Sequence, residues 1–471
     1  MNRRDFLKSA GIGAAALAAP GWLSRSLAQA AESPASKPNF VVILIDDMGY
    51  GDIEPYGSKV NRTPHLCRMA KEGMKLTSFY AAPVCTPSRA QMMTGCYAKR
   101  VSMPNVIFPL CPTGLNPEEK TVARLLKERG YATMCIGKWH LGDQPEFLPT
   151  KHGFDHYVGL PYSNDMGKPP LPLLRDEKVV EAPAEQDKLT RLYTEEAVTF
   201  ITAHKDKPFF LYFPHTAVHV PIHPGKDFAG KSANGRYGDW VEEVDWSVGQ
   251  VLTTLRELKL DSNTLVLFTS DNGPWLSQGK NGGVAGPLRG GKGSCWEGGV
   301  REPTIAWWPG RIAAGSSCDA MMSEMDMLPT LVTLAGGEVP ADKKIDGLDV
   351  WPLLSGKSKE SPHEALFYFK GNEMQGVRSG QWKLLIKAQE PGSGMKSDKK
   401  PAQGVALYNL ESDIGETTNV AEKNPDVVKR LQGLIAKMDG DLGISGMGPG
   451  VRPCGVVKEP KPLVMDAREY K

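Results

Sequence analysis

Two adjacent pairs of oxygen-donor side chains stand at the ends of apolar runs in this chain. Asp46 and Asp47 follow NFVVILI (Asn39–Ile45), and Asp271 and Asn272 follow NTLVLFTS. Carboxylate and amide oxygens, with no imidazole or thiolate among them, suit a hard cation such as calcium or magnesium. Asp and Asn also favour turns on their own account, so either pair alone says little; two pairs at two strand ends point to one shared site. A third feature, CTPSR at Cys85–Arg89, lies between them in sequence. Pro87 suits a first helical position, which places Cys85 just ahead of a helix amino terminus. Free backbone N–H groups and the helix dipole favour negative charge there, and Arg89 adds a fixed positive charge one turn on.

Such residues need rigid elements to hold them. NFVVILI is a continuous β-branched run of the kind found in buried parallel strands. A helix follows, with Thr63 as N-cap, Pro64 at its first position and Gly73 as its stop; a second is expected to open at Asn116–Pro117 and close at Gly130. YATMCIG then forms a strand that delivers Lys138 and His140, and PFFLYFP (Pro208–Pro214) forms another. Between Trp240 and Leu258 apolar residues recur at helical spacing, and NTLVLFTS is the next strand. Strands alternating with helices predict an α/β fold: a large, mostly parallel sheet sandwiched by helices. Ligand sites in open sheets of this kind lie at the carboxyl ends of the strands. After Leu354 the texture becomes antiparallel, with a Lys-rich turn near Met395–Pro401 and a closing helix from Pro425. The expected division is a signal segment at 1–30, a catalytic domain at 36–355 and a smaller C-terminal α+β domain at 360–471.

CTPSR also fits Cys-x-Pro-x-Arg, the pattern recognised by enzymes that oxidise the cysteine to formylglycine. Together with GYATMCIGKWHLG (Gly130–Gly142) and GGKGSCWEGGVREP (Gly290–Pro303), it makes the chain resemble the type I, formylglycine-dependent sulfatases of the alkaline phosphatase superfamily. The resemblance runs from about Asn39 into the C-terminal region. It implies that Cys85 becomes 3-oxoalanine (formylglycine), hydrated to a gem-diol. One hydroxyl attacks the sulfur of a sulfate ester, and loss of the proton from the other collapses the sulfated intermediate. By the same resemblance, Asp46, Asp47, Asp271 and Asn272, with position 85, hold one divalent cation, calcium or alternatively magnesium. Arg89 holds the formylglycine hydroxyls, Lys138 and Lys292 grip sulfate oxygens, and His140 is a base for collapse of the intermediate. His219, in HVP, protonates the leaving oxygen; Ser163, in GLPYSND, contacts the site. The next position, histidine in a relative, is Asn164 here.

The implied activity is hydrolysis of a sulfate monoester, expected on a sulfated carbohydrate. A phosphate or phosphonate monoester hydrolase of the same superfamily is the enzymatic alternative, and a catalytically silent sulfated-glycan binding protein the non-enzymatic one. Three other patterns are weighed and set aside. His215, His219 and His223 recur every four residues, but Pro214, Pro221 and Pro224 exclude the helix that would make them a zinc face. GPLRGGKG (Gly286–Gly293) imitates a phosphate loop yet has no Ser or Thr after Lys292 and no strand leading into it. HGFDH (His152–His156) is expected to be scaffold. The substrate pocket is expected from the segments around Met103–Cys111, Asn164–Leu174, His223–Tyr237 and Met447–Cys454.

The chain opens with MNRRDFLKSAGIGAAALAAPGWLSRSLAQA. Twin arginines, a short apolar stretch and a small-residue close make a twin-arginine export signal, so periplasmic or secreted localisation is expected. The partners are then the export machinery, a formylglycine-generating enzyme during maturation and the sulfate-ester substrate. No segment is apolar for long enough to span a bilayer. A formal net charge of +2 over 471 residues gives no reason to expect nucleic acid as a partner. The eight cysteines, at 67, 85, 96, 111, 135, 295, 318 and 454, contain no C-x-x-C pair and spell out no disulfide or zinc framework.

Overall fold

The structure is a computed structural model that describes residues 37–167, 170–387, 389, 392 and 404–464. The expected signal segment and the Lys-rich turn at 395–401 lie outside the described residues. Among those residues an eleven-stranded sheet carries the site. From one edge its order is Ser316–Cys318, Met74–Tyr80, Arg301–Trp307, Thr264–Ser270, Asn39–Ile45, Phe209–Pro214, Ala132–Ile136, His156–Gly159, Leu173–Arg175 and Lys178–Glu181, with Met322–Ser323 also on Met74–Tyr80. The centre is parallel: Asn39–Ile45 lies between Phe209–Pro214 and Thr264–Ser270, and Ala132–Ile136 runs alongside Phe209–Pro214. Arg301–Trp307 is antiparallel to both of its neighbours. The architecture is the mostly parallel, helix-flanked sheet that the sequence leads one to expect.

The unbroken apolar run of the first strand has a direct cause. Phe40, Val42 and Leu44 enter the core on one face of the sheet, while Val41, Ile43 and Ile45 enter the core on the other. Burial of each aliphatic side chain contributes about 1.5–3 kcal/mol, and a strand buried on both faces has no polar side to show. Its register sets Ile45 against Ser270. Asp46–Asp47 and Asp271–Asn272 therefore leave the sheet side by side.

The C-terminal region forms a four-stranded antiparallel sheet, Leu366–Lys370, Glu373–Ser379, Trp382–Leu385 and Ala406–Asn409. Helix Pro425–Leu442 covers it through Leu431, Leu434 and Ile435. Two helix starts differ from expectation. The second helix begins at Val122, where the Thr121 hydroxyl accepts the Arg124 N–H at 3.2 Å. Asn116 instead closes a turn, accepting the Glu118 N–H at 3.0 Å, since Asn-Pro is as good a turn opening as a helix opening. The other helix spans Cys85–Thr94, so Cys85 is its first residue and Pro87 its third. Proline is tolerated there because no first-turn N–H has an intrahelical acceptor.

Candidate active site

Strand ends, one helix start and one glycine-rich loop bring their side chains to the carboxyl edge of the sheet. Asp46 accepts from Lys138 Nζ and sits 3.3 Å from the Cys85 thiol. Asp47 receives Lys292 Nζ at 2.6 Å and Asn272 Nδ2 at 2.8 Å, and His219 Nε2 lies 3.6 Å away. Asp271 is clamped by Arg89, whose Nη2 and Nε donate at 2.8 and 3.1 Å. Arg89 also donates to the Lys138 carbonyl at 2.5 Å, and Lys138 Nζ reaches Ser163 Oγ at 3.2 Å. His140 joins through its carbonyl, which accepts the Thr86 hydroxyl at 3.0 Å, and through Nε2, which lies 2.9 Å from the Ile107 carbonyl. All eleven residues singled out in the sequence thus meet in one buried cluster.

The local backbone is built for this convergence. Gly137 separates strand Ala132–Ile136 from Lys138 at φ 125°, and a Cβ there would lie 1.8 Å from the Pro214 carbonyl oxygen. Asp47 and His140 hold φ of 62° and 60°, a left-handed conformation that costs about 1–2 kcal/mol for a residue with a Cβ. Strain of this kind gathers at functional sites. The Lys292 loop is pinned at both sides: the Lys292 N–H donates to the Pro274 carbonyl at 3.0 Å and the Gly293 N–H to the Pro83 carbonyl at 2.7 Å. Glycines in GPLRGGKG thus shape a loop that carries a lysine to Asp47. Asn164 donates to the carbonyls of His219 and Pro221 at 3.3 and 3.2 Å, which fixes the turn bearing His219.

Three carboxylates face three cations, Arg89, Lys138 and Lys292, with every partner buried. Desolvation of such ions can exceed their mutual attraction, so stability alone does not account for the cluster. Burial lowers the Lys292 ammonium, but Asp47 outweighs it and keeps the group charged well above the ordinary lysine range. Burial, with the Lys292 charge beside it, brings His219 down to about 3. Burial and the Asp46 carboxylate push the Cys85 thiol far up, so an unmodified thiol here is a poor nucleophile at neutral pH.

Asp46, Asp47, Cys85 and His219 each turn one ligand atom to within 4.8 Å of the others, and Asn272 Oδ1 is buried with no hydrogen-bond partner. The two carboxylates and the spare amide oxygen are donors that fit a hard divalent cation, while the Cys85 sulfur and the His219 nitrogen are softer neighbours. Asp271 is not one of these four: one carboxylate oxygen is held by Arg89 and the other accepts the Asp47 N–H at 3.2 Å.

The other sequence patterns fall elsewhere. His215 is buried, with Nε2 3.3 Å from Ser247 Oγ and its ring against Phe213; His223 packs edge-on to Trp240. His152 is buried beside Trp139, and exposed His156 pairs with Asp176. Of the expected rim segments, the one around Met103–Cys111 reaches the cluster through Ile107, and the one from Asn164 through Asn164 itself, on the His219 carbonyl. Trp275 is a neighbour whose residue type announces no chemistry in the sequence: its ring lies 5.4 Å from His219 and 4.5 Å from Lys292 Nζ. Its only sequence signal is its place three residues beyond Asn272.

Comparison with known proteins gives matches along most of the chain. The Sulfatase family model matches residues 38–337, the model for the C-terminal part of N-sulphoglucosamine sulphohydrolase matches 291–440, and the twin-arginine translocation signal model matches 1–20. N-acetylgalactosamine-6-sulfatase of Rattus norvegicus is 42% identical over 83% of this chain and 78% of its own. Arylsulfatase A of Homo sapiens is 38% identical over 90% of this chain and 92% of its own. The crystal structure of PsFucS1 sulfatase from Pseudoalteromonas sp. superposes with a TM-score of 0.78 at 28% identity, covering 88% of this chain and 92% of that one.

Proposed function

Because the chain belongs to the sulfatase family, we propose that it cleaves the sulfate monoester of a sulfated carbohydrate with a formylglycine made from Cys85. Hydrolysis of a sulfuric ester follows from the family itself. The twin-arginine signal sends the chain to the periplasm or out of the cell, and no described helix is long and apolar enough to cross a membrane. The carbohydrate preference draws on the relative whose name specifies an amino-sugar sulfate.

One observation carries the mechanism: the start of the Cys85–Thr94 helix meets the two Asp-bearing strand ends, two lysines and His219 in a single buried cluster. A hydrated aldehyde at position 85 supplies one hydroxyl for attack on sulfur and a second whose deprotonation releases sulfate. A divalent cation, calcium by family preference, would be held by Asp46, Asp47, Asp271 and Asn272 with position 85, and would supply Lewis acidity toward a sulfate oxygen. Arg89, locked on Asp271, presents its guanidinium to position 85 and keeps that side chain in one orientation. Lys138 and Lys292 stabilise the charge that builds on the outer sulfate oxygens. His219 delivers a proton to the bridging oxygen; the negative charge of the ester raises its affinity for that proton as the substrate enters. His140, with Nε2 on the Ile107 carbonyl, leaves Nδ1 to take the proton that frees sulfate.

Peptide mass spectrometry across residues 76–89, on protein from a host with the modifying enzyme, tests the nucleophile directly. It is run beside an assay of sulfate release from 6-sulfated N-acetylgalactosamine and of phosphate release from the matching phosphate ester. An aldehyde at position 85 and faster sulfate release support the reading. An unmodified thiol with undiminished turnover, or faster phosphate release, sinks it.

A further inference from the structure

A partly exposed tryptophan borders the place where the alcohol half of a sulfate ester has to lie. Residues 271–274 are buried, Trp275 and Leu276 are intermediate, and residues 277–280 are exposed. Trp275 is therefore where the chain leaving the cluster first meets solvent. Its indole is tilted at 55° to the His219 imidazole, with ring centroids 5.4 Å apart. On the other flank, Lys292 Nζ stands 4.5 Å from the ring centroid. The Lys292 N–H bonded to the Pro274 carbonyl at 3.0 Å makes the tryptophan and the lysine one rigid corner.

We propose that Trp275 is a specificity-determining residue, the wall of the leaving-group pocket, and that its indole takes the apolar C–H face of the sugar ring bearing the sulfate. The inference rests on the function proposed above, in which Lys292 holds a sulfate oxygen and His219 meets the bridging oxygen. With sulfur on the Lys292 side and the bridging oxygen at His219, the carbon that carries this oxygen is one bond further toward solvent. The aromatic surface next to both groups there is the indole of Trp275. A pyranose offers a face of C–H groups between equatorial hydroxyls, and that face is complementary to the electron-rich face of an indole. Pockets for small ligands combine such an aromatic wall with a few convergent polar groups, and here those groups are His219, Lys292 and Lys138.

The cation–π contact allows Trp275 a second role, that of merely holding Lys292. Inorganic sulfate separates the two, because it engages the lysines without presenting a sugar. Trp275→Ala and Trp275→Phe are compared with the parent enzyme for kcat and KM on a sulfated monosaccharide and for inhibition by inorganic sulfate. Binding of the same monosaccharide is also measured by calorimetry in the non-reacting Cys85→Ala protein, with and without Trp275→Ala. A platform predicts that Trp275→Ala loses about 10- to 100-fold in kcat/KM and in sugar-sulfate affinity, mostly through KM, that sulfate inhibition moves by less than about 3-fold, and that Trp275→Phe recovers most of the loss. Unchanged sugar binding overturns the proposal, and so does an equal loss toward sugar sulfate and inorganic sulfate. A parent enzyme that neither binds nor cleaves any sulfated saccharide overturns the functional reading beneath it, an outcome seen before any Trp275 variant is compared.

Discussion

His219 has to lend a proton, yet burial and the Lys292 ammonium hold it near 3 while the site is without substrate. That contrast makes its role measurable. A leaving alkoxide needs protonation, whereas a nitrophenolate departs without it. His219→Asn is therefore expected to slow an alkyl sulfate by about 10²–10⁴-fold and 4-nitrophenyl sulfate far less; equal losses on the two would remove the acid role. His152 makes a different point, about stability. It is buried with neither ring nitrogen hydrogen-bonded, and its pKa falls from 6.5 to about 3 through burial, with the Arg124 charge adding to it. The unfolded chain takes up this proton first, so the stability tied to His152 is complete above pH 6.5 and is lost as pH falls toward 3. His152→Leu is expected to flatten the acid side of a plot of Tm against pH. Parallel slopes for variant and parent would contradict it.

At the scale of elements, the site depends on where strands stop. Gly137 ends one of the parallel strands, and its missing side chain is what lets the Pro214 carbonyl approach. Gly137→Ala is expected to cost at least about 3 kcal/mol, lowering Tm by several degrees, and to cut activity by displacing Lys138; a variant with the parent's Tm would show that the strand ends tolerate movement. Much of this level was legible in the residues, because a doubly buried parallel strand is uniformly apolar and its end is marked by the first polar pair. NFVVILI followed by Asp46–Asp47 announces itself for that reason. Less legible was the start of the helix at Val122, where Asn116–Pro117 carries a signal shared by turns and helices and the Thr121 cap decides. Trp275 was not legible, and the Ile107 carbonyl only as part of the segment expected at the pocket. A tryptophan after a strand reads as core, and a backbone carbonyl has no sequence signature; both matter only through contacts made across the fold.

Taken as a whole molecule, the protein has no disulfide among its eight cysteine positions, four of them buried. Its stability is therefore expected to be independent of redox state. Thermal melts with and without a strong reductant are expected to agree within about 1 °C, since losing even one native disulfide typically costs 2–5 kcal/mol; a drop of several degrees on reduction would reveal a covalent link. The same burial bears on how the enzyme is made. Cys85 is 2% exposed, and Asp46, Asp47, Asp271 and Lys292, drawn from positions hundreds of residues apart, close over it once the sheet is complete. On the mechanism proposed here, its oxidation has to be finished while the chain is still open. The active fraction of any preparation is then settled by a race between an oxidising enzyme and the folding of its client, and a molecule that folds first stays a well-formed, inert twin of the active one.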